Sequence, residues 1–244
     1  MRTIINETHP KKQLWQTELS QSFRTISDLL NYCEVAIENS DGAQLATKQL
    51  RFFVTKSWAD RIEKGNNKDP LLLQVLPSHQ ENQTTTGFTD DPLQEQTQNP
   101  IPGLIHKYHG RALVTVTQQC AIYCRYCFRR AFPYSDNRIS QHNWQQICDY
   151  LHAHSDIEEI ILSGGDPLIL TDNHLQQLID DLAAIPHLRY LRIHSRIPIV
   201  LPNRMTNALW QTLSNHQLQV ALVVHCNHPQ EIDDTVHQAL APAK

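Results

Sequence analysis

No apolar run in this 244-residue chain approaches the length that a bilayer demands. The opening residues, MRTIINETHPKKQLW, lack the apolar core of a secretory leader. Neither sign of charge dominates, since the formal net charge is -4 and the pI lies near 6.4. A nucleic-acid partner or an anionic membrane therefore has no electrostatic support. Cysteine is scarce: six residues, at Cys33, Cys120, Cys124, Cys127, Cys148 and Cys226. A secreted disulfide scaffold would be shorter and more evenly stapled. These absences point to a soluble, cytoplasmic protein that works on neither nucleic acid nor membrane. A 40% share of hydrophobic residues suffices for one large domain or a core domain with an appendage.

Three of the six cysteines fall in one short stretch, TQQCAIYCRYCFRRAFPY, from Thr117 to Tyr134. Cys120, Cys124 and Cys127 have no fourth thiol nearby and are followed at once by Arg129 and Arg130. A [4Fe–4S] cube normally takes four thiolates. Three leave one iron open, which a catalytic metal needs and a structural metal avoids. Two alternatives stand beside this: a structural zinc completed by His142 or another histidine, and three unrelated buried thiols.

Along the chain, residues 1–76 read as a mainly helical accessory region. Leu14, Leu19, Phe23, Ile26, Leu29 and Leu30 fit one helical face, and residues 45–65 suggest a second helical region ending at Gly65. Residues 77–102 lose the apolar period and read as a solvated linker. From 103 to 244 short β-branched runs alternate with helical stretches. RALVTVT, IEEIILSGG, LRYLRIHS and LQVALVVHC are strand candidates, each followed by a helix. This alternation predicts an α/β fold with an open parallel sheet of about four βα units. The unusual motifs all sit just past strands: the cysteines, then SGGDP, HSRIP and HCNHP. Working residues of such folds occupy that end. Gly164 and Gly165 lack a Cβ and would let backbone approach a ligand there, and Asp166 would accept a hydrogen bond from an ammonium or hydroxyl.

The C-x3-C-x2-C spacing resembles the radical S-adenosylmethionine (SAM) enzymes, whose fold is a (β/α) barrel, here partial. In that family SAM chelates the open iron, and an electron from the cluster releases a deoxyadenosyl radical. The resemblance implies that Gly164, Gly165 and Asp166 meet the SAM amino group and that Tyr126 stacks on adenine. PGLIHKYHGRAL, CRYCFRRAFPY, LSGGDPL, RIHSRIPIVLPNRMT and HCNHPQEID resemble, in order and spacing, the lysine 2,3-aminomutase family. The wording is nearest the branch that makes (R)-β-lysine for modification of elongation factor P, and it covers essentially the whole chain. The match implies that Cys120, Cys124 and Cys127 hold the cluster and that Ser163 and His225 contact SAM. It implies that Arg129 grips the substrate carboxylate, a task suited to a planar bidentate donor. Lys107 and Arg111 would flank the phosphate of pyridoxal phosphate (PLP). L-lysine is the implied substrate, its amino group moving from the α- to the β-carbon, and the full-length form is expected to be a homo-oligomer.

One family feature has no counterpart. The eight lysines are Lys11, Lys12, Lys48, Lys56, Lys64, Lys68, Lys107 and Lys244, and none matches the lysine that forms the PLP Schiff base. With only four strands expected, the chain reads as a fragment or early-ending product that would hold a cluster poorly and turn over little lysine. A radical SAM enzyme without PLP, or a zinc-binding non-enzymatic module, are the competing readings.

Overall fold

β-branched and leucine-rich runs form the sheet because their side chains pack on a pleated surface, while the intervening amphipathic segments cover it. The computed structural model describes residues 13–36, 52–78, 81, 83, 86–89, 91–214 and 216–243. Five strands lie side by side in chain order: β1 (Leu104–Tyr108), β2 (Arg111–Thr117), β3 (Glu159–Gly164), β4 (Tyr190–Ser195) and β5 (Gln219–Val224). β2 to β5 are parallel, with Thr115 beside Ser163, Leu162 beside Ile193 and Ser195 beside Val224. This is the expected open α/β sheet.

The sequence reading started the sheet at Arg111 and missed β1. That strand runs antiparallel to β2, turning at His109 and Gly110. Gly110 adopts φ 78°, the left-handed conformation such a tight turn favours.

The N-terminal region corrects a second expectation. The single helical face over 14–33 is two helices, α1 (Leu14–Ser20) and α2 (Ile26–Tyr32). Between them Phe23 leaves the helix to pair with Val54, N to O 2.8 Å and O to N 3.0 Å. Thr25 then caps α2 by accepting from the Asp28 amide. Of the second helical region, 45–51 lies outside the described residues. The rest holds only α3 (Lys56–Ala59). α4 (Pro70–Val75) follows, with Pro at its start and Asp69 as cap.

α5 (Gln141–Ala153), α6 (Asp172–Ala183), α7 (Ile197–Val200), α8 (Asn207–Ser214) and α9 (Asp234–Leu240) complete the described α-helices. Strand residues Val114, Leu162 and Ile193 alternate inward, and Ile147, Leu151, Leu175 and Leu209 from α5, α6 and α8 join them in one core. Leu29, Trp58, Leu71 and Leu72 from the N-terminal helices belong to that same core. The opposite sheet face, with Leu113, Ile161, His194 and Val223, is left to line a cavity.

Candidate active site

The loops beyond β2, β3, β4 and β5 meet over a cavity of about 670 Å³, lined by Cys120, Cys124 and Cys127 among others. N-terminal backbone braces the cysteine loop, with the Tyr123 amide donating to Phe53 O at 2.6 Å and the Arg125 amide to Gln74 O at 2.9 Å. Among the cysteines, the Cys127 amide donates to Cys124 O at 3.0 Å. Cys120 is exposed as a residue and lines the cavity. Burial pushes its thiol well up, and the nearby charges of Asp166, Cys124 and Cys127 add to that. Burial also raises the Cys127 thiol.

The SGGDP turn grips this loop from below. The Gly165 amide donates to Thr117 O at 2.6 Å and the Asp166 amide to Gln119 O at 2.7 Å. A Cβ on Gly165 would collide with Gln119 backbone, and one on Gly164, at φ 107°, with Thr117 O. The close approach that these glycines permit is therefore to the cysteine loop itself. Asp166 is buried and its carboxylate already accepts four protein donors. Ser195 Oγ lies at 2.7 Å and the amides of Arg196, Ile197 and Leu168 at 2.7, 3.1 and 3.1 Å. Burial raises its pKa against the pull of those bonds. It acts as a pin between the loops after β3 and β4.

The two arginines beside the cysteines reach into the stretch that reads as a linker. Arg129 Nε and Nη2 donate to Glu95 at 2.8 and 2.6 Å, and Nη1 donates to Ser163 Oγ at 2.9 Å. Arg130 donates to Glu81 at 2.7 Å and to Tyr123 Oη at 2.8 Å. Burial opposes the Arg129 charge, but Glu95 more than restores it and holds its pKa above the ordinary value. Tyr134 Oη, donating to Gly164 O at 2.8 Å, closes this side. Thus Arg129 and Ser163, far apart in sequence, are in contact.

On the other side stands Arg196. It donates to Cys124 Sγ at 3.0 Å, to Gln74 Oε1 at 2.6 Å and to Glu231 at 3.4 Å. Gln74 Oε1 also accepts from Tyr126 Oη at 3.1 Å and Asn227 Nδ2 at 3.1 Å. His225 lies edge-on to the Tyr126 ring, 5.8 Å between centroids. Burial and then Arg196 depress the His225 pKa, which favours neutral imidazole. Tyr126 is raised by burial and by Cys124. Gln74, Glu95, Arg196 and Glu231 carried no assigned role in the sequence reading. RIHSRIPIVLPNRMT and HCNHPQEID contained Arg196 and Glu231 only as motif wording.

Lys107 and Arg111 line the same cavity from β1 and β2. Lys107 Nζ donates to Leu93 O at 2.9 Å, and Arg111 lies 3.8 Å from Glu159. Glu159 is shared with Arg192 at 2.6 Å. Lys56, Lys64 and Lys68 are not among the residues lining the cavity. Lys11, Lys12, Lys48 and Lys244 lie outside the described residues.

Among the described residues no three His, Cys, Asp or Glu side chains converge closely enough for a single metal ion. The zinc reading thus finds no ligand set there. A cluster asks for something else, one thiolate per iron, and three cysteines on one cavity-lining loop, with a guanidinium on one sulfur, fit that donor chemistry. No described helix is long and apolar enough to cross a membrane.

A family model described as a 4Fe-4S single cluster domain matches residues 109–187. The chain is 45% identical over 242 residues to an L-lysine 2,3-aminomutase of Escherichia coli (strain K12), spanning 99% of this chain and 70% of that one. It is 42% identical over 230 residues to the L-lysine 2,3-aminomutase of Haemophilus influenzae, spanning 94% and 68%. With that of Clostridium subterminale it shares 34% identity over 221 residues, 90% of this chain and 53% of the relative.

Proposed function

Because this chain belongs to the lysine 2,3-aminomutase family, we propose that its cavity is where a cluster-bound SAM and L-lysine are brought together for transfer of the α-amino group to the β-carbon. Cys120, Cys124 and Cys127 would hold the cluster, and Tyr126, Ser163, Gly164, Gly165 and His225 would flank SAM. Asp166 belongs to that set by anchoring the loops around it. When bound, cluster and SAM supply a radical able to take hydrogen from an unactivated carbon, and PLP supplies the site that carries the migrating nitrogen.

The chain's own residues orient and enclose. Arg129 has five N–H donors, of which three are engaged by Glu95 and Ser163. The two remaining, one on each terminal nitrogen, are free to meet a substrate carboxylate. Lys107 and Arg111 are the cavity cations suited to the PLP phosphate. The observation that carries the reading is that Arg129 touches Ser163 on the wall of the cavity lined by all three cysteines. One frame then fixes both radical source and substrate.

The finer reading is (R)-β-lysine formation serving elongation factor P, in the cytoplasm and in a homo-oligomer. It is supported by the motif wording from Lys107 to Leu113 and from Cys124 to Tyr134. A radical SAM enzyme without PLP is the second reading, favoured by the engagement of Lys107 with Leu93 O. Anaerobic reconstitution with iron and sulfide tests the proposal. We expect iron and sulfide uptake, incomplete against the about four irons of a [4Fe–4S] cube but lost in each Cys→Ala variant, and a small yield of β-lysine from L-lysine with SAM, PLP and a low-potential reductant. Iron-free protein, or zinc in its place, would overturn it, and β-lysine formed equally well without PLP would favour the second reading.

A further inference from the structure

Arg196 is an arginine under a tenth exposed at the bottom of the cavity wall, and nothing in the amino-group chemistry requires it. Its relative exposure is 5%. Its guanidinium lies 4.6 Å from the Trp58 ring centroid and 5.6 Å from that of Tyr126. Nη2 is held by Gln74 Oε1 at 2.6 Å and Glu231 at 3.4 Å, and Nη1 is aimed at Cys124 Sγ at 3.0 Å. Nε has no partner. A buried cation with an unmatched N–H is costly, and its placement against a sulfur marks an electrostatic role.

Resting on the cluster reading above, we propose that Arg196 is a positioning residue that raises the reduction potential of the cluster through its hydrogen bond to Cys124. The step is one electron from an external one-electron reductant onto the cube, which gains one negative charge. Hydrogen bonds and positive charge at the ligand sulfurs stabilise that reduced form. Gln74 and Glu231 serve by aiming the guanidinium. Among the described residues Arg196 is the side chain that donates to a sulfur of the triplet, while Cys127 has only the Arg129 amide as donor.

The test is an EPR-monitored redox titration of the anaerobically reconstituted chain without SAM, compared with three variants. Arg196→Met removes the donor. Arg196→Met with Glu231→Gln removes both buried charges, so that no carboxylate is left without its cation. Gln74→Met keeps both charges but releases the guanidinium. We expect the first two to be about tenfold harder to reduce, a shift of about 59 mV to more negative potential for a one-electron couple. Gln74→Met should shift the same way by less. A cluster-loaded Arg196→Met or double variant titrating at the parent potential overturns the inference while leaving the cluster reading intact. A parent chain that takes up no iron overturns both.

Discussion

Arg129 and Glu95 are 7% and 8% exposed, and that burial decides what the loss of one partner does. Arg129→Met leaves an uncompensated buried carboxylate, a change that costs about 3–5 kcal/mol. The double variant Arg129→Met with Glu95→Gln should recover much of it, and urea unfolding of the four proteins in the cycle measures the coupling. Asp69 offers a prediction in pH. It is buried and accepts from the amides of Leu71 at 2.8 Å, Leu72 at 3.0 Å and Glu63 at 3.0 Å, and from Gln230 at 2.8 Å. Burial would raise its pKa, but these bonds outweigh it and the net shift is downward. A depressed carboxylate stabilises the fold above its unfolded value, about 3.9, and that stability is lost as pH falls through the folded value. Asp69→Asn should therefore lower the melting temperature at pH 7 and flatten its decline below about pH 4. A variant with an unchanged acid limb would contradict this.

At the scale of elements, the SGGDP turn and the cysteine loop are built as one piece. Gly165→Ala sets a methyl group against Gln119 backbone, and overpacking of this kind costs about 1–3 kcal/mol. The expected outcome is a lower melting temperature together with a lower iron content, whereas an alanine tolerated on both counts would show that the loops can part. The four parallel strands and their helices were legible because each carries its own periodic apolar pattern. The three cysteines were legible by spacing alone. β1 was not, since LIHKY mixes apolar and polar residues and depends on β2 for its pairing. The break between α1 and α2 was equally hidden, because Phe23 keeps helical spacing yet pairs with Val54. Glu81 and Glu95 sit in a polar stretch with no period, and only the fold shows that both face arginines of the cysteine loop.

For the molecule as a whole, N-terminal helices and sheet share a core, and the connections between them are specific. Thr55 donates to Val200 O, and Arg61 donates to Glu231 O and to Ile199 O. Trp58 is fully buried among these contacts. Trp58→Ala should cost about 3–5 kcal/mol and weaken the sheet along with the helices. Thermal unfolding followed by far-UV and near-UV circular dichroism is expected to give one coincident transition. Two separated transitions would mean that residues 1–76 and the sheet fold independently.

The Gln74 contact with Glu231 spans 157 positions, and Arg196 lies 72 positions beyond the cysteine it touches. A ribosome adds residues at about 5–20 per second and N-terminal parts emerge first. The thiols are thus synthesised well before the groups that surround them. Iron delivered to the nascent chain would meet three bare cysteines, and the mature setting around Cys124 arises only once residue 231 has left the exit tunnel. The hydrogen-bonded setting of Cys124 is therefore one of the last parts of the site to be completed during synthesis.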